Sequence, residues 1–308
     1  MIVVVCPGQG SQTPGFMLPW LDLPAFRSSI ESMQSASGID LVAHGTVSDA
    51  DTIRDTSVAQ PLIVSAGVAT LAALFDANGT VSEKISGVAG HSVGEITAAV
   101  ASGIFTAEQG IKFVKERGDA MALAAGLEPT SMAAILGGDQ SVVEARLAEL
   151  DLEPANYNGG GQIVAAGAAA AIGELQASGP AGARVIPLQV AGAFHTRYMA
   201  PAVSTLAAYA AGLTVADPIT KLWTNAGGRA VDSGAAFVEL MVNQVKSPVR
   251  WDLCMAAMVE AGVTAMIEVS PAGTLVGLAK RSMPGVETLA IKSPENLDAA
   301  LALIANHA

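Results

Sequence analysis

Ser92 lies in Gly90-His91-Ser92-Val93-Gly94, after the apolar run at residues 85–89 and before a helix-like segment. A serine bracketed by glycines at this junction reads as a nucleophile elbow, and its chemistry is acyl transfer through the hydroxyl. The turn holds the serine at a strained apex, where residues two positions away crowd its backbone; glycine relieves that crowding. A serine hydroxyl is a poor nucleophile until a base accepts its proton. The chain has four histidines. His307 sits beside the C-terminus, where fraying is common, and His44 lies in a polar stretch without glycine or apolar support. His91 adjoins the serine, so its ring leaves the turn in another direction and suits a structural role. His195 remains, in the loop at residues 190–196 directly after an expected strand. On its residues alone it is either the base or a buried structural histidine.

A hydrolase with such an elbow orients its base with an acid placed between serine and histidine in the chain. Asp119, Asp139 and Asp151 fall there, but each sits in a helical or turn context and none stands out, so a neutral orienting group is an alternative to an acid. Val93 offers one backbone N–H for an oxyanion at a helix N-terminus. The glycine-containing loop at residues 7–13 can supply a second; it lacks the Gly-Lys-Ser/Thr ending and the third glycine that nucleotide cradles need. Arg117 stands out on the expected helix at residues 107–125, because its neighbours three and four positions away are Phe113, Val114, Ala120 and Met121. An inward guanidinium needs a partner, either a protein carboxylate or a substrate carboxylate held bidentately. Lys112, with Glu108, Gln109, Lys115 and Glu116 at the same spacings, looks like an exposed face.

The elements that must position these groups alternate between short β-branched runs and longer Ala/Leu/Val-rich segments, as at residues 2–5, 58–77, 85–89 and 107–125. Such alternation implies a parallel sheet with helices on both faces. Across residues 130–187 the order becomes strand (131–136), helix (141–150), strand (153–158), strand (162–166), helix (168–178), strand (184–187). That β-α-β-β-α-β order is ferredoxin-like, and Gly159-Gly160-Gly161 joins its middle strands with residues that tolerate positive φ. Strand and helix then alternate again at 219–224, 235–245, 251–261, 265–269 and 297–305. The expected fold is α/β: an α/β-hydrolase-like parallel sheet at 1–127 and 189–308, with a ferredoxin-like subdomain inserted at 128–188. The cleft between the two lobes holds the site.

With 51% hydrophobic and 14% charged residues over 308 positions, the chain can bury a large core. Its net charge of −12 argues against nucleic acid as a partner. Cys6 and Cys254 both lie in apolar surroundings, read as buried free thiols rather than as a disulfide or zinc site. No uninterrupted apolar run reaches membrane-span length and the N-terminus lacks a signal-peptide pattern, so a cytoplasmic protein is expected.

These features together resemble the malonyl-CoA:acyl carrier protein transacylase family along essentially the whole chain. The resemblance rests on Pro7 to Gln12, the elbow, Arg117-Gly118, Asn156-Tyr157-Asn158 with Gly161-Gln162, Gly192 to His195, and Pro248-Val249-Arg250-Trp251, in the family's order. It implies Ser92 as acyl acceptor, His195 as its base and Arg117 as the clamp for the malonyl carboxylate. It further implies oxyanion amides at Gln9 and Val93, and a backbone carbonyl at Gln244 that orients His195 and accounts for the missing acid. Gln60, Asn156 and Phe194 would line the substrate pocket, and Phe194 and Val93 match the malonyl rather than the methylmalonyl pattern. Thr196 departs from the family's usual serine but keeps the hydroxyl. The implied substrates are malonyl-CoA and a phosphopantetheinylated acyl carrier protein, with no cofactor, no metal and a monomeric chain. An acidic carrier would need a local basic face, for which residues such as Arg184, Arg197, Lys246, Arg250 and Lys280 are candidates. Two other readings of the residues remain: a serine esterase or thioesterase, and a carrier-binding scaffold that keeps the elbow for packing. A stand-alone polyketide-type acyltransferase is a variant of the main one.

Overall fold

The computed structural model describes residues 1–75, 79–190 and 192–307. The expected helix end at residues 76 and 77, and Ala191 of the loop before His195, lie outside the described residues. The strands are β1 (Ile2–Cys6), β2 (Gly87–Gly90), β3 (Thr130–Gly137), β4 (Glu153–Gly159), β5 (Gln162–Ala168), β6 (Ala183–Pro187), β7 (Lys221–Trp223), β8 (Val249–Arg250), β9 (Ala265–Glu268) and β10 (Glu287–Ala290).

They form two sheets. The first, in the order β10-β9-β1-β2-β7, is parallel throughout. β1 is its centre because all five residues of Ile-Val-Val-Val-Cys are buried, as a strand covered on both faces requires. Alternate side chains serve opposite layers: Ile2, Val4 and Cys6 join the main core, while Val3 and Val5 pack with Trp251, Met255 and Leu278. The main core holds the helices Pro24–Ser37, Thr56–Leu74 and Ala107–Ala125, which pack on one another. The expectation concerned uninterrupted apolar runs, and none of membrane-span length occurs among the described residues; one interrupted helix does reach that length. Thr56–Leu74 is long and apolar enough by length and composition, although 83% of that window is buried inside the fold. Its Thr, Ser, Gln and Pro interrupt the apolar run without lowering the average enough to matter.

The second sheet runs β6-β3-β5-β4-β8. Its first four strands pair antiparallel and arise in the order strand, helix (Gln140–Glu149), strand, strand, helix (Ala169–Ala177), strand. Ala133, Ile135, Ile163 and Ala165 pack beneath those two helices, whereas Met132, Ala134, Val164 and Ala166 point the other way into the main core. Gly160 and Gly161, with φ of 56° and 74°, make the tight β4–β5 turn. The fifth strand was not expected. β8 comes from the later part of the chain and pairs in parallel with Asn156 and Tyr157 of β4, so the second sheet is stitched to the first lobe.

Candidate active site

β2 ends at Gly90 and the helix Gly94–Ala101 begins four residues on, leaving Ser92 at φ 53°. A side chain in this left-handed region costs roughly 1–3 kcal/mol, so the surroundings must enforce it. They do so by close packing. A Cβ on Gly90 would lie 2.0 Å from the Gly94 carbonyl carbon, and one on Gly94 would lie 2.2 Å from the Cys6 oxygen. Asn225 straps the turn from the other side: its Oδ1 accepts from the Ser92 N–H at 2.8 Å, and its Nδ2 donates to the Gly90 oxygen at 2.8 Å.

His195 arrives from the loop after β6 and is also left-handed, at φ 62°. Its N–H donates to the Val245 oxygen, and its side chain, 4% exposed, bridges two elements. Nδ1 is 2.8 Å from the Gln244 backbone oxygen and Nε2 is 2.6 Å from Ser92 Oγ. A carbonyl only accepts, so Nδ1 carries the proton and the Nε2 lone pair faces the hydroxyl. Burial, reinforced by the Arg117 charge, pulls the imidazole pKa down to about 3, so it is neutral at neutral pH. The Thr196 hydroxyl donates to the Ala193 oxygen at 2.6 Å, which fixes the loop.

Arg117 is 1% exposed. Nη1 donates to Gln60 Oε1 at 2.7 Å, Nη2 donates to Gln244 Oε1 at 2.9 Å, and Nη2 stands 3.5 Å from Ser92 Oγ. Both close partners are neutral amides, and no protein carboxylate touches the guanidinium among the described residues. Burial lowers its pKa to about 10, which leaves it charged. The anion that opposes this lowering is Glu95, buried in the first turn of Gly94–Ala101. Burial pushes the Glu95 carboxyl up to about 7 against the hydrogen bonds it accepts. Oε1 accepts from Asn225 N at 2.6 Å and Oε2 from Gln244 Nε2 at 2.5 Å.

The cleft in front of Ser92 holds about 80 Å³ of water-accessible space and runs between the two sheets. Gln9, Gln60, Asn156 and Phe194 all line it, as do Met121 and Met132. Val93 is the residue before the helix Gly94–Ala101, and the backbone N–H groups of Gln9 and Val93 donate to no protein acceptor among the described residues. His91 points away from Ser92: its Nε2 meets Asn158 Oδ1 at 2.8 Å and its ring packs edge-on against Trp251. His44 and His307 are hydrogen-bonded elsewhere. Of the basic candidates, Arg197 is paired with Asp151 and Glu153, and Arg250 with Asp252.

Sequence reasoning missed Glu95 and Asn225. Glu95 carried the same signal as Arg117, a lone charge on the otherwise apolar segment Gly-Glu-Ile-Thr-Ala-Ala-Val-Ala. Asn225 carried none, since a side chain that braces backbone atoms has no characteristic spacing.

A nucleophile elbow with an imidazole partner on a parallel sheet defines an acyl-transferring enzyme, and comparison with known proteins agrees. The family described as an acyl transferase domain matches residues 3–293. The malonyl CoA-acyl carrier protein transacylase of Mycobacterium tuberculosis H37Rv is 48% identical over 298 residues, covering 97% of this chain and 98% of its own. That of Escherichia coli K12 is 31% identical over 306 residues, covering 97% and 98%. The crystal structure of the M. tuberculosis enzyme superposes with a TM-score of 0.92 at 47% identity, covering 97% of this chain and 99% of the other. A malonyl-transacylase solved with a type II PKS acyl-carrier protein superposes at 0.91 with 28% identity, covering 98% and 99%. The chain belongs to the acyl transferase domain family and, within it, to the malonyl CoA-acyl carrier protein transacylases.

Proposed function

We propose that the chain moves a malonyl group from malonyl-CoA to the pantetheine thiol of an acyl carrier protein through a malonyl–Ser92 ester. The observation that carries this reading is the meeting of two groups at one oxygen: Ser92 Oγ lies 2.6 Å from His195 Nε2 and 3.5 Å from Arg117 Nη2. His195 takes the Oγ proton as Oγ attacks the thioester carbonyl. The oxyanion accepts from the N–H groups of Gln9 and Val93, each worth ~10² to 10³ in rate. As the C–S bond breaks, the imidazolium returns its proton to the departing CoA sulfur. The carrier thiol then loses its proton to His195 and attacks the ester, and Ser92 leaves reprotonated. Gln244 holds the imidazole tautomer throughout by its backbone oxygen.

Arg117 receives the free malonyl carboxylate by exchanging its amide partners for it. Gln60, Asn156 and Phe194 shape the remainder of the pocket. An acetyl group leaves the buried guanidinium without an anion, so it is discriminated against. The strand order β6-β3-β5-β4 supports a ferredoxin-like assignment for residues 128–188, inserted into an α/β-hydrolase-like lobe at 1–127 and 189–308. Intact mass after mixing with malonyl-CoA tests the mechanism. A malonyl adduct on the wild type, absent from Ser92→Ala, supports transfer; CoA release without an adduct indicates hydrolysis, and no reaction indicates a scaffold.

A further inference from the structure

The Glu95 side chain lines no part of the cleft before Ser92, yet its two oxygens gather donors from the two segments that shape the site. Oε1 holds the backbone N–H of Asn225, whose side chain braces the elbow. Oε2 holds the side-chain NH₂ of Gln244 by the shortest of that group's three contacts, the others being the Ser92 oxygen and Asn225 Oδ1, each at 3.2 Å. The other end of the Gln244 amide, Oε1, accepts from Arg117 Nη2, while the backbone oxygen of the same residue orients His195. We propose that Glu95 is a positioning residue: by accepting from Gln244 Nε2 it fixes the orientation of that amide, and through it aims the Arg117 guanidinium at the carboxylate of the incoming acyl group. This rests on the reading of Arg117 as the carboxylate clamp.

The argument is one of donor and acceptor counting. The Asn225 N–H and the Gln244 NH₂ converge on Glu95, with the Thr224 hydroxyl beside them, and above about pH 7, where Glu95 is ionised, the carboxylate offers an acceptor to each. A glutamine in its place offers one acceptor and one NH₂. The Asn225 N–H belongs to the backbone and cannot turn away, so it keeps the single oxygen. The new NH₂ then faces the Gln244 NH₂ and displaces that amide, which loses its shortest hydrogen bond and keeps only its 3.2 Å contacts to the Ser92 oxygen and Asn225 Oδ1. Two donors now oppose each other where one hydrogen bond stood, and Arg117 leaves its aim. His195 is spared, because its anchor is the backbone oxygen of Gln244 and not the amide.

The test is a comparison of malonyl-CoA with acetyl-CoA in the acylation half-reaction, for Glu95→Gln, Gln244→Leu, the double variant and Arg117→Ala, with thermal unfolding measured on each. Glu95→Gln should lower kcat/KM for malonyl-CoA by roughly 10- to 100-fold, as expected for a hydrogen bond to a charged group, chiefly through KM. The acetyl-CoA rate of Glu95→Gln should stay within about threefold, and Gln244→Leu should likewise lower kcat/KM for malonyl-CoA. The double variant should lose little beyond either single one, since both break the same link. Equal falls for the two substrates in Glu95→Gln, or additive losses in the double variant, overturn the proposal while the clamp stands if Arg117→Ala loses malonyl preference. An Arg117→Ala enzyme that keeps its preference overturns the clamp, and the proposal with it.

Discussion

The two lobes bury different things. Behind Ser92 the first lobe encloses Arg117, Glu95, His195 and Gln244 among apolar helices, whereas the interior beneath the second lobe's two helices is wholly apolar. The second lobe keeps its ionic groups outside: Arg146 meets Glu149 and Glu174, and Asp151 and Glu153 meet Arg197 of the first lobe. Interior charge is costly unless every group is paired: around Ser92 the partners are side chains and backbone, Glu268 is held separately by backbone N–H groups, and the other lobe serves as a roof lined by Met132, Asn156 and Leu188. Substitutions in the two lobes should therefore differ in kind as well as in size.

The largest effect is expected at the proposed nucleophile, where Ser92→Ala should reduce malonyl transfer on the order of 10⁶-fold with little change in unfolding temperature. A residual rate far above that would mean another acceptor. Next comes Gly94→Ala, whose new methyl meets the Cys6 and Pro7 oxygens. Backbone atoms cannot yield as a flexible side chain can, so a loss of ~3 kcal/mol or more is expected by denaturant titration. A near-normal midpoint would show that the elbow relaxes.

Acidity gives an intermediate effect. With the His195 pKa lowered to about 3, the acid limb of kcat/KM for acylation should lie well below the ordinary histidine value of 6.5. A limb near 6.5 would show the ring to be more solvated than its burial implies. Stability follows with opposite signs at two groups. The unfolded chain takes up a proton at His195 that the native state refuses, so that contribution is present above 6.5 and lost as pH falls towards 3. Glu95 runs the other way: its contribution is present below the ordinary 4.5 and lost as pH rises through about 7. Between 4.5 and 6.5 the two slopes oppose each other. His195→Gln should unmask a decline in stability as pH rises across that window, at up to ~1.4 kcal/mol per pH unit, read from urea midpoints.

The smallest effects belong to the second lobe. Arg146→Ala removes exposed ion pairs and should change stability by about 1 kcal/mol or less. Gly173→Ala, in the helix Ala169–Ala177 with nothing within 4 Å of the new methyl, should stabilise by roughly 0.5–1 kcal/mol. A large loss from either would remove the contrast between lobes.

Much of this was readable in the chain because the physics is local. The glycine bracket around Ser92 and the apolar neighbours of Arg117 are patterns of sequence, and the helix at Ala107–Ala125 falls where its periodicity places it. Gln244 was reached through family resemblance alone, since a residue acting by its backbone oxygen leaves no trace in side-chain type. β8 was not legible because two residues make no alternation, and β10, Glu-Thr-Leu-Ala, lacks a continuous apolar run. Nor could the chain reveal that Arg117 would rest on neutral amides, which depends on three elements meeting.

β8 has a mechanical corollary. Only a few residues separate Gln244, whose backbone oxygen meets the His195 ring, from Val249 and Arg250, which are clasped by the roof through β4. Prising roof from floor tugs on a strap whose far end is the base's own mooring. Wide gaping and accurate proton transfer are thus set against each other, and traffic through the cleft is best suited to a slender, threadlike arm.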